Sequence, residues 1–144
     1  MRHVIFRLDR DRYALPLDAV REVVNAPEHY SRVPHARDSV KGVMTLRGRV
    51  VPVIDLGRLL TPGLQPASLP AALGTGKVVL LELVRRELGL LVTEVEGIES
   101  IEKVGSQARA SRVVRGLARV GPLTITVLDV EGLDAAVAAS FANG

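Results

Sequence analysis

A chain of 144 residues with 19 basic and 16 acidic side chains has a net charge of only +3; its arginines are interleaved with carboxylates, which argues against an extended basic footprint for nucleic acid. It contains no cysteine, which excludes a disulfide framework and a thiolate metal site. Its apolar runs are too short for a bilayer span or a signal-peptide core, so one compact soluble cytoplasmic unit is expected, without direct membrane insertion.

Val4 to Leu8 reads as a strand, Asp9 to Arg12 as a charged turn, and Tyr13 to Leu17 as the returning strand. Asp18 to Val24 fits a helical turn or a strand, because Val20, Val23 and Val24 satisfy both periods. Ala26 to Val40 is irregular: Pro27 and Pro34 interrupt any continuous element, and Asp38 is placed to cap one helical turn before Gly42. Val43 to Ile54 reads as two short apolar strands around an Arg47-Gly48-Arg49 turn. Pro52 cannot donate to a ladder, so an edge or a bulge is expected there. Asp55 suits the N-cap of a short helix running to Leu60 and closed by Thr61-Pro62-Gly63.

Thr61 to Gly76 holds three prolines, three glycines and no charge, the composition of a connector. Lys77 to Val84 is a continuous apolar strand, Arg85 to Glu87 a turn, and Leu88 to Val92 the next strand. Glu94 to Ile101 suits a strand or a bend, and Glu102 to Ser111 a polar loop. Val113 to Val120 and Leu123 to Leu128 form a final hairpin, and an alanine-rich helix closes the chain from Asp129 to about Ala139.

The pattern occurs twice. An offset of about 75 positions places Val4 on Val79, Tyr13 on Leu88, Val20 on Val95 and Val23 on Ile98. With the offset reduced by one, Lys41-Gly42 falls on Arg115-Gly116, Val53-Ile54-Asp55-Leu56 on Val127-Leu128-Asp129-Val130, and Leu59 on Leu133. Residues 1–144 are therefore expected to form one domain of two pseudo-repeats, about 1–74 and 75–144, with terminal strands free to cross between them. Each half is too small to bury much alone. Short antiparallel strands remove their edges by curling, so two small barrels sharing an apolar seam are the expected architecture.

These residues resemble the CheW-like domains of bacterial chemosensory arrays. The resemblance runs from Val4 to about Leu133 and rests on Phe6-Arg7-Leu8, Tyr13-Ala14-Leu15, Val20-Arg21-Glu22-Val23 and Val33-Pro34. It continues through Lys41-Gly42-Val43, Leu46-Arg47-Gly48, Val51-Pro52-Val53-Ile54-Asp55-Leu56, Gly89-Leu90-Leu91-Val92, Val95-Glu96-Gly97 and Arg115-Gly116. The resemblance implies a mainly β, CheW-like fold: two SH3-like five-stranded β-barrels around a shared hydrophobic core, with short helices. It also implies a non-enzymatic adaptor, without cofactor or metal, that couples the cytoplasmic tips of chemoreceptors to the regulatory domain of the histidine kinase CheA. Val20, Glu22, Gly42, Arg47 and Gly48 match the receptor-coupling positions, with an apolar seam receiving a helix and Arg47 and Glu22 orienting it at the rim. The kinase-facing residues are not specified beyond apolar edges of the other barrel.

Each of these residues also has a plainer reading. Gly48 supplies the positive φ of a tight hairpin, Gly42 and Gly116 mark bulges, Arg47 is a solvated turn residue, and Glu22 pairs with Arg21 or another arginine. Asp55 and Asp129 read as caps rather than catalytic acids, and Tyr13 as core. Thr45 stands where the family usually has asparagine, Thr93 where an aspartate is common, the loop from Lys103 to Arg112 is short, and little chain precedes the first strand. These departures point to altered receptor specificity or a divergent paralogue in a specialised, non-motility pathway. An enzyme is disfavoured because His3, His29 and His35 have neither metal-ligand spacing nor a nucleophile partner, and the Gly48 segment lacks the lysine and helix of a phosphate loop. A nucleic-acid module is disfavoured because Phe6, Tyr13, Tyr30 and Phe141 are the only rings available for stacking.

Overall fold

The computed structural model describes residues 1–60, 76–83, 86–105 and 112–141. Its strands are β1 (Arg2–Leu8), β2 (Asp11–Pro16), β3 (Val20–Asn25), β4 (Val40–Leu46), β5 (Arg49–Asp55), β6 (Lys77–Glu82), β7 (Glu87–Val92), β8 (Glu94–Ser100), β9 (Val114–Val120) and β10 (Leu123–Leu128). Helix α1 (Leu56–Leu60) follows β5, and α2 (Val130–Phe141) follows β10.

The strands form two five-stranded sheets, ordered β8-β1-β2-β10-β9 and β3-β6-β7-β5-β4. Strands related by the sequence offset hold the same place in both: β1 matches β6, β2 matches β7, and β3, β4 and β5 match β8, β9 and β10. Each sheet therefore takes two strands from one half of the chain and three from the other. The correspondence reaches individual hydrogen bonds. An isolated bridge joins Ser31 to Val43 in one sheet and Gly105 to Leu117 in the other. The Asp55 amide donates to Ser39 O, and that of Asp129 to Val113 O, at 2.7 Å in each case.

Alternation along the central strands explains the continuous apolar runs. In β6, Val78 and Leu80 enter a core private to the sheet, whereas Val79 and Leu81 enter the large core between the sheets. In the other sheet, Ile125 and Val127 of β10 lie in the private core and Leu128 in the shared one. A strand covered on both faces has no solvent side and needs no polar alternation. Phe6, Leu15, Ile54, Leu90 and Leu128 bring both sheets into the shared core, joined by Leu56 of α1 and Leu133 and Val137 of α2. Tyr13 is half-buried at its margin and stacks on Phe6 with ring centroids 6.0 Å apart.

The expected fold holds, with one refinement: among the described residues the end strands of each sheet are not laddered together, so the units are curled sheets rather than closed barrels. The ambiguous Asp18 to Val24 segment divides between a single 3-10 turn, Leu17–Ala19, and strand β3. Asp38 caps no helix; it lies in a turn whose Val40 amide donates to Arg37 O at 2.9 Å and at once starts β4. Pro52 is not on an edge strand, since β5 lies between β7 and β4. Its opposite number, Val43, exchanges both backbone hydrogen bonds with Ser31 instead, at 2.8 and 2.9 Å, and the β7 ladder begins only at Val53. The missing proline N–H therefore breaks no ladder bond. The connector from 61 to 75 and most of the polar loop (106–111) lie outside the described residues, as do residues 84 and 85.

Candidate functional site

Leu46 pairs with Arg49 across a two-residue turn in which Arg47 and Gly48 have φ of 49° and 80°. Two successive positive φ values are the backbone of a type I′ hairpin turn, and they match the twist of the flanking strands. Glycine meets this demand freely. Arginine does so at a cost of about 1–2 kcal/mol, yet the turn places its guanidinium at the end of the hairpin.

That guanidinium is not loose in solvent. Arg47 Nη1 donates to Glu22 Oε1 at 2.5 Å and Nη2 to Oε2 at 2.9 Å, a bidentate pair. Glu22 is on β3, at the opposite end of the sheet from β4. The pair thus joins the two ends of a sheet whose backbone ladder stays open, and side chains complete the curl. Arg47 holds the Glu22 carboxyl below the usual carboxylate range, first through this hydrogen bond, with Arg21 and Arg49 adding smaller Coulombic contributions. Glu22 in turn raises the Arg47 guanidinium.

A second carboxylate lies beside the first. Glu87 Oε2 accepts from Arg21 Nη1 at 2.6 Å and from Arg49 Nη1 at 2.7 Å. Val23 and Val50 are also exposed, but strand alternation turns them to the opposite face of the sheet from Glu22 and Arg49, so the mouth itself is charged.

Of the five residues singled out in the sequence, Glu22 and Arg47 are in direct contact, and Gly48 shapes the turn that presents Arg47. Val20 starts the strand that carries Glu22 and packs against the shared core. Gly42 is elsewhere: it lies five residues back along β4 from Arg47, about 16 Å away at ordinary strand rise. Its φ is +149°, and a Cβ there would lie 2.6 Å from Ser31 O and 2.8 Å from Tyr30 Cβ. Its role in the structure is to let the Ser31 backbone pair with β4. The partner of Glu22 is Arg47 rather than Arg21. Sequence reasoning missed the Arg21–Glu87–Arg49 arrangement, because Glu87 comes from β7 and only the sheet order brings it between the two arginines.

The other sheet has a different mouth. There Gly97 occupies the place of Glu22, Gly121 that of Arg47 and Leu123 that of Arg49. Arg12 pairs with Glu96 through Nε at 2.6 Å, the position of Arg21 and Glu87 with the charges reversed. Without a clamp between its ends, this sheet keeps a cavity of about 90 Å³ lined by Ile5, Gly97, Val120, Leu123 and Ile125 with Glu96 and Glu99.

The two aspartates of the repeat are helix caps. Asp55 Oδ1 accepts the Arg58 amide at 3.2 Å, and Asp129 Oδ1 accepts that of Gly132 at 2.9 Å. Burial raises the Asp55 carboxyl, against the opposing pull of Arg58 and Lys41. Burial also pushes the Tyr30 phenol up to about 12, with Asp55 adding to the effect. Thr93, where the family often has aspartate, accepts the Asp9 amide at 2.9 Å through Oγ1. Thr45 is exposed on β4. Among the described residues no three His, Cys, Asp or Glu side chains group as a metal site, and no helix is long and apolar enough to cross a membrane.

Twin curled sheets with a shared core, one presenting a clamped charged mouth, define a β-sheet docking module. The model of the CheW-like domain matches residues 2–137, and the chain belongs to that family. Chemotaxis protein CheW of Thermotoga maritima is 26% identical over 131 residues, covering 88% of this chain and 82% of that protein. Protein PilI of Pseudomonas aeruginosa is 32% identical over 94 residues, 65% of this chain, and the match spans about half (49%) of PilI. The crystal structure of scaffolding protein TtCheW from Thermoanaerobacter tengcongensis shares the fold, with a TM-score of 0.76 at 22% identity over 90% of this chain and 84% of that one.

Proposed function

We propose that this protein is a chemotaxis coupling adaptor: it ties the cytoplasmic tips of chemoreceptors to the regulatory domain of the histidine kinase CheA and performs no catalysis itself. Family membership along residues 2–137 supports the class, and the observation that carries the site is the bidentate Glu22–Arg47 clamp at the Leu46-Arg47-Gly48 motif. In this reading a receptor helix lies over the mouth of the β3-β6-β7-β5-β4 sheet. Val20 with its neighbours gives apolar contact, and the clamp sets the orientation. Gly48 presents Arg47, and Gly42 acts at a distance by seating β4. The protein works in the cytoplasm, next to receptors that are themselves in the membrane. Individual contacts of this kind are weak, and a lattice of many supplies strength. The PilI match favours a second reading, a paralogue serving a specialised chemosensory system with its own receptors.

The test reconstitutes kinase and receptor with this protein and follows receptor-dependent autophosphorylation. Arg47→Asp weakens receptor coupling while kinase binding and fold are retained, because an exposed turn charge contributes little to stability. Normal coupling by the variant would reject the site, and loss of kinase binding with it would reject the division of surfaces.

A further inference from the structure

We propose that Glu87 is a positioning residue for the receptor contact: by holding Arg21 and Arg49 it keeps both off Glu22 and reserves that carboxylate for Arg47. The inference rests on the docking reading of the Glu22–Arg47 mouth and names a residue that acts through it.

The charges at this mouth balance, so their pairing is what needs a cause. Strand alternation puts Glu22, Glu82 and Glu87 on one face of the sheet, together with Arg49. Arg21 is the extra residue of a bulge in β3, which re-aims its side chain to Glu87 on that face. The hairpin turn brings Arg47 to the same place. Three guanidiniums therefore face three carboxylates.

Nothing local gives Arg47 priority for Glu22. Its side chain is 63% exposed, against 42% for Arg21 and 40% for Arg49, and a pair made in solvent is the weaker one. Arg21 adjoins Glu22 in the chain, and Arg21 and Arg49 both act on the Glu22 carboxyl through space. Yet Glu22 takes Arg47 through both oxygens, while its two rivals meet on Glu87 Oε2 at 2.6 and 2.7 Å. Without the Glu87 carboxylate, Arg21 and Arg49 have Glu22 and Glu82 to turn to. Either arginine on Glu22 displaces Arg47, and the guanidinium that the turn presents loses its fixed orientation.

The other sheet has the tie without the clamp. Arg7 and Arg12 meet on Glu96 at 3.7 and 2.6 Å, and Gly97 and Gly121 stand in the places of Glu22 and Arg47. A shared carboxylate joins strands in both sheets. Only in the first does a second carboxylate lie beside it, so that it also decides which arginine pairs with which acid. Glu82 supplies the control. It is exposed directly across from Glu87, and among the described residues it has no ion-pair partner. Glu82→Gln thus removes the same unit charge from the same mouth without freeing an arginine.

The test follows the Glu22 carboxyl by NMR titration and, in parallel, receptor-dependent autophosphorylation in the reconstituted complex. Arg47→Ala raises the Glu22 midpoint in the wild-type background and hardly moves it in Glu87→Gln, where Arg21 or Arg49 has already taken Glu22. Glu87→Gln weakens receptor coupling by up to about fivefold, the ceiling for one exposed ion pair. Adding Arg21→Gln and Arg49→Gln to Glu87→Gln removes the rivals and restores both the response of Glu22 to Arg47→Ala and the coupling. Glu82→Gln leaves both as in wild type. A full rise of the Glu22 midpoint with Arg47→Ala in the Glu87→Gln background overturns the positioning role. Equal changes from Glu82→Gln would mark a field effect, and a coupling defect that persists in the triple variant a direct or structural role; each overturns it too. Unchanged coupling by Arg47→Asp removes the docking reading, and the coupling role of Glu87 with it, whatever the titrations show.

Discussion

Gly42→Ala isolates what the family glycine does, because it is in β4 and away from the charged mouth. The added methyl would meet Ser31 O at 2.6 Å and Tyr30 Cβ at 2.8 Å, and the φ of +149° is one that side-chain-bearing residues rarely adopt. Ser31 would have to retreat, losing its two backbone bonds with Val43 at 2.8 and 2.9 Å. Two hydrogen bonds at a net 0.5–1.5 kcal/mol each, with 1–2 kcal/mol of backbone strain, make about 2–5 kcal/mol. For a chain of this size that lowers Tm by about 10 °C. Gly48→Ala is the matched control: its φ is +80°, but nothing lies within 4 Å of the added Cβ, so it costs about 1 kcal/mol. Urea unfolding followed by circular dichroism measures both. Equal destabilisation by the two substitutions would refute the close-approach argument.

Other expectations follow from the same contacts. Asp129→Ala removes the cap on Gly132 N and destabilises by about 1 kcal/mol, whereas Asp129→Asn, which keeps the acceptor, restores most of it; equal losses in the two melting curves would reject a capping role. The folded Glu22 carboxyl lies below its unfolded value, so the contribution of its pair is complete above the ordinary carboxylate range and disappears as pH falls through the lowered folded value. A carboxyl NMR titration should therefore give Glu22 a lower midpoint in wild type than in Arg47→Ala, and coincident midpoints would refute the clamp. Asp55 has the opposite sign: its folded carboxyl is raised, so its effect on stability grows less favourable as pH rises from the unfolded value through the folded one. Asp55→Asn should flatten that part of the stability-versus-pH curve, and an unchanged slope would show that Asp55 is not the titrating group.

Local chemistry made the elements readable. Two-residue turns, caps and continuous apolar runs are decided by a few neighbouring residues, and the matched positions of Asp55 and Asp129 or Gly42 and Gly116 correspond to strands that hold the same place in the two sheets. The family motif likewise pointed to Glu22 and Arg47, which do touch. What stayed hidden depends on which strands become neighbours. Nothing near Glu87 announces Arg21 or Arg49, since the β7 carboxylate reaches them only across the finished sheet. Asp38 has the composition of a cap, but Val40 is taken up by β4 before a helical turn can form. Pro52 reads as an edge or bulge residue because sequence cannot show that Val43 directs its hydrogen bonds to Ser31.

The way the sheets borrow from opposite halves of the chain bears on how this molecule comes apart. Severing the polypeptide between its halves would not yield two independent lobes. Each fragment would hold three strands of one assembly and two of the other, with open edges and half-made cores. Melting is thereby expected as a single concerted event, and on the ribosome neither lobe can close until the late strands have emerged.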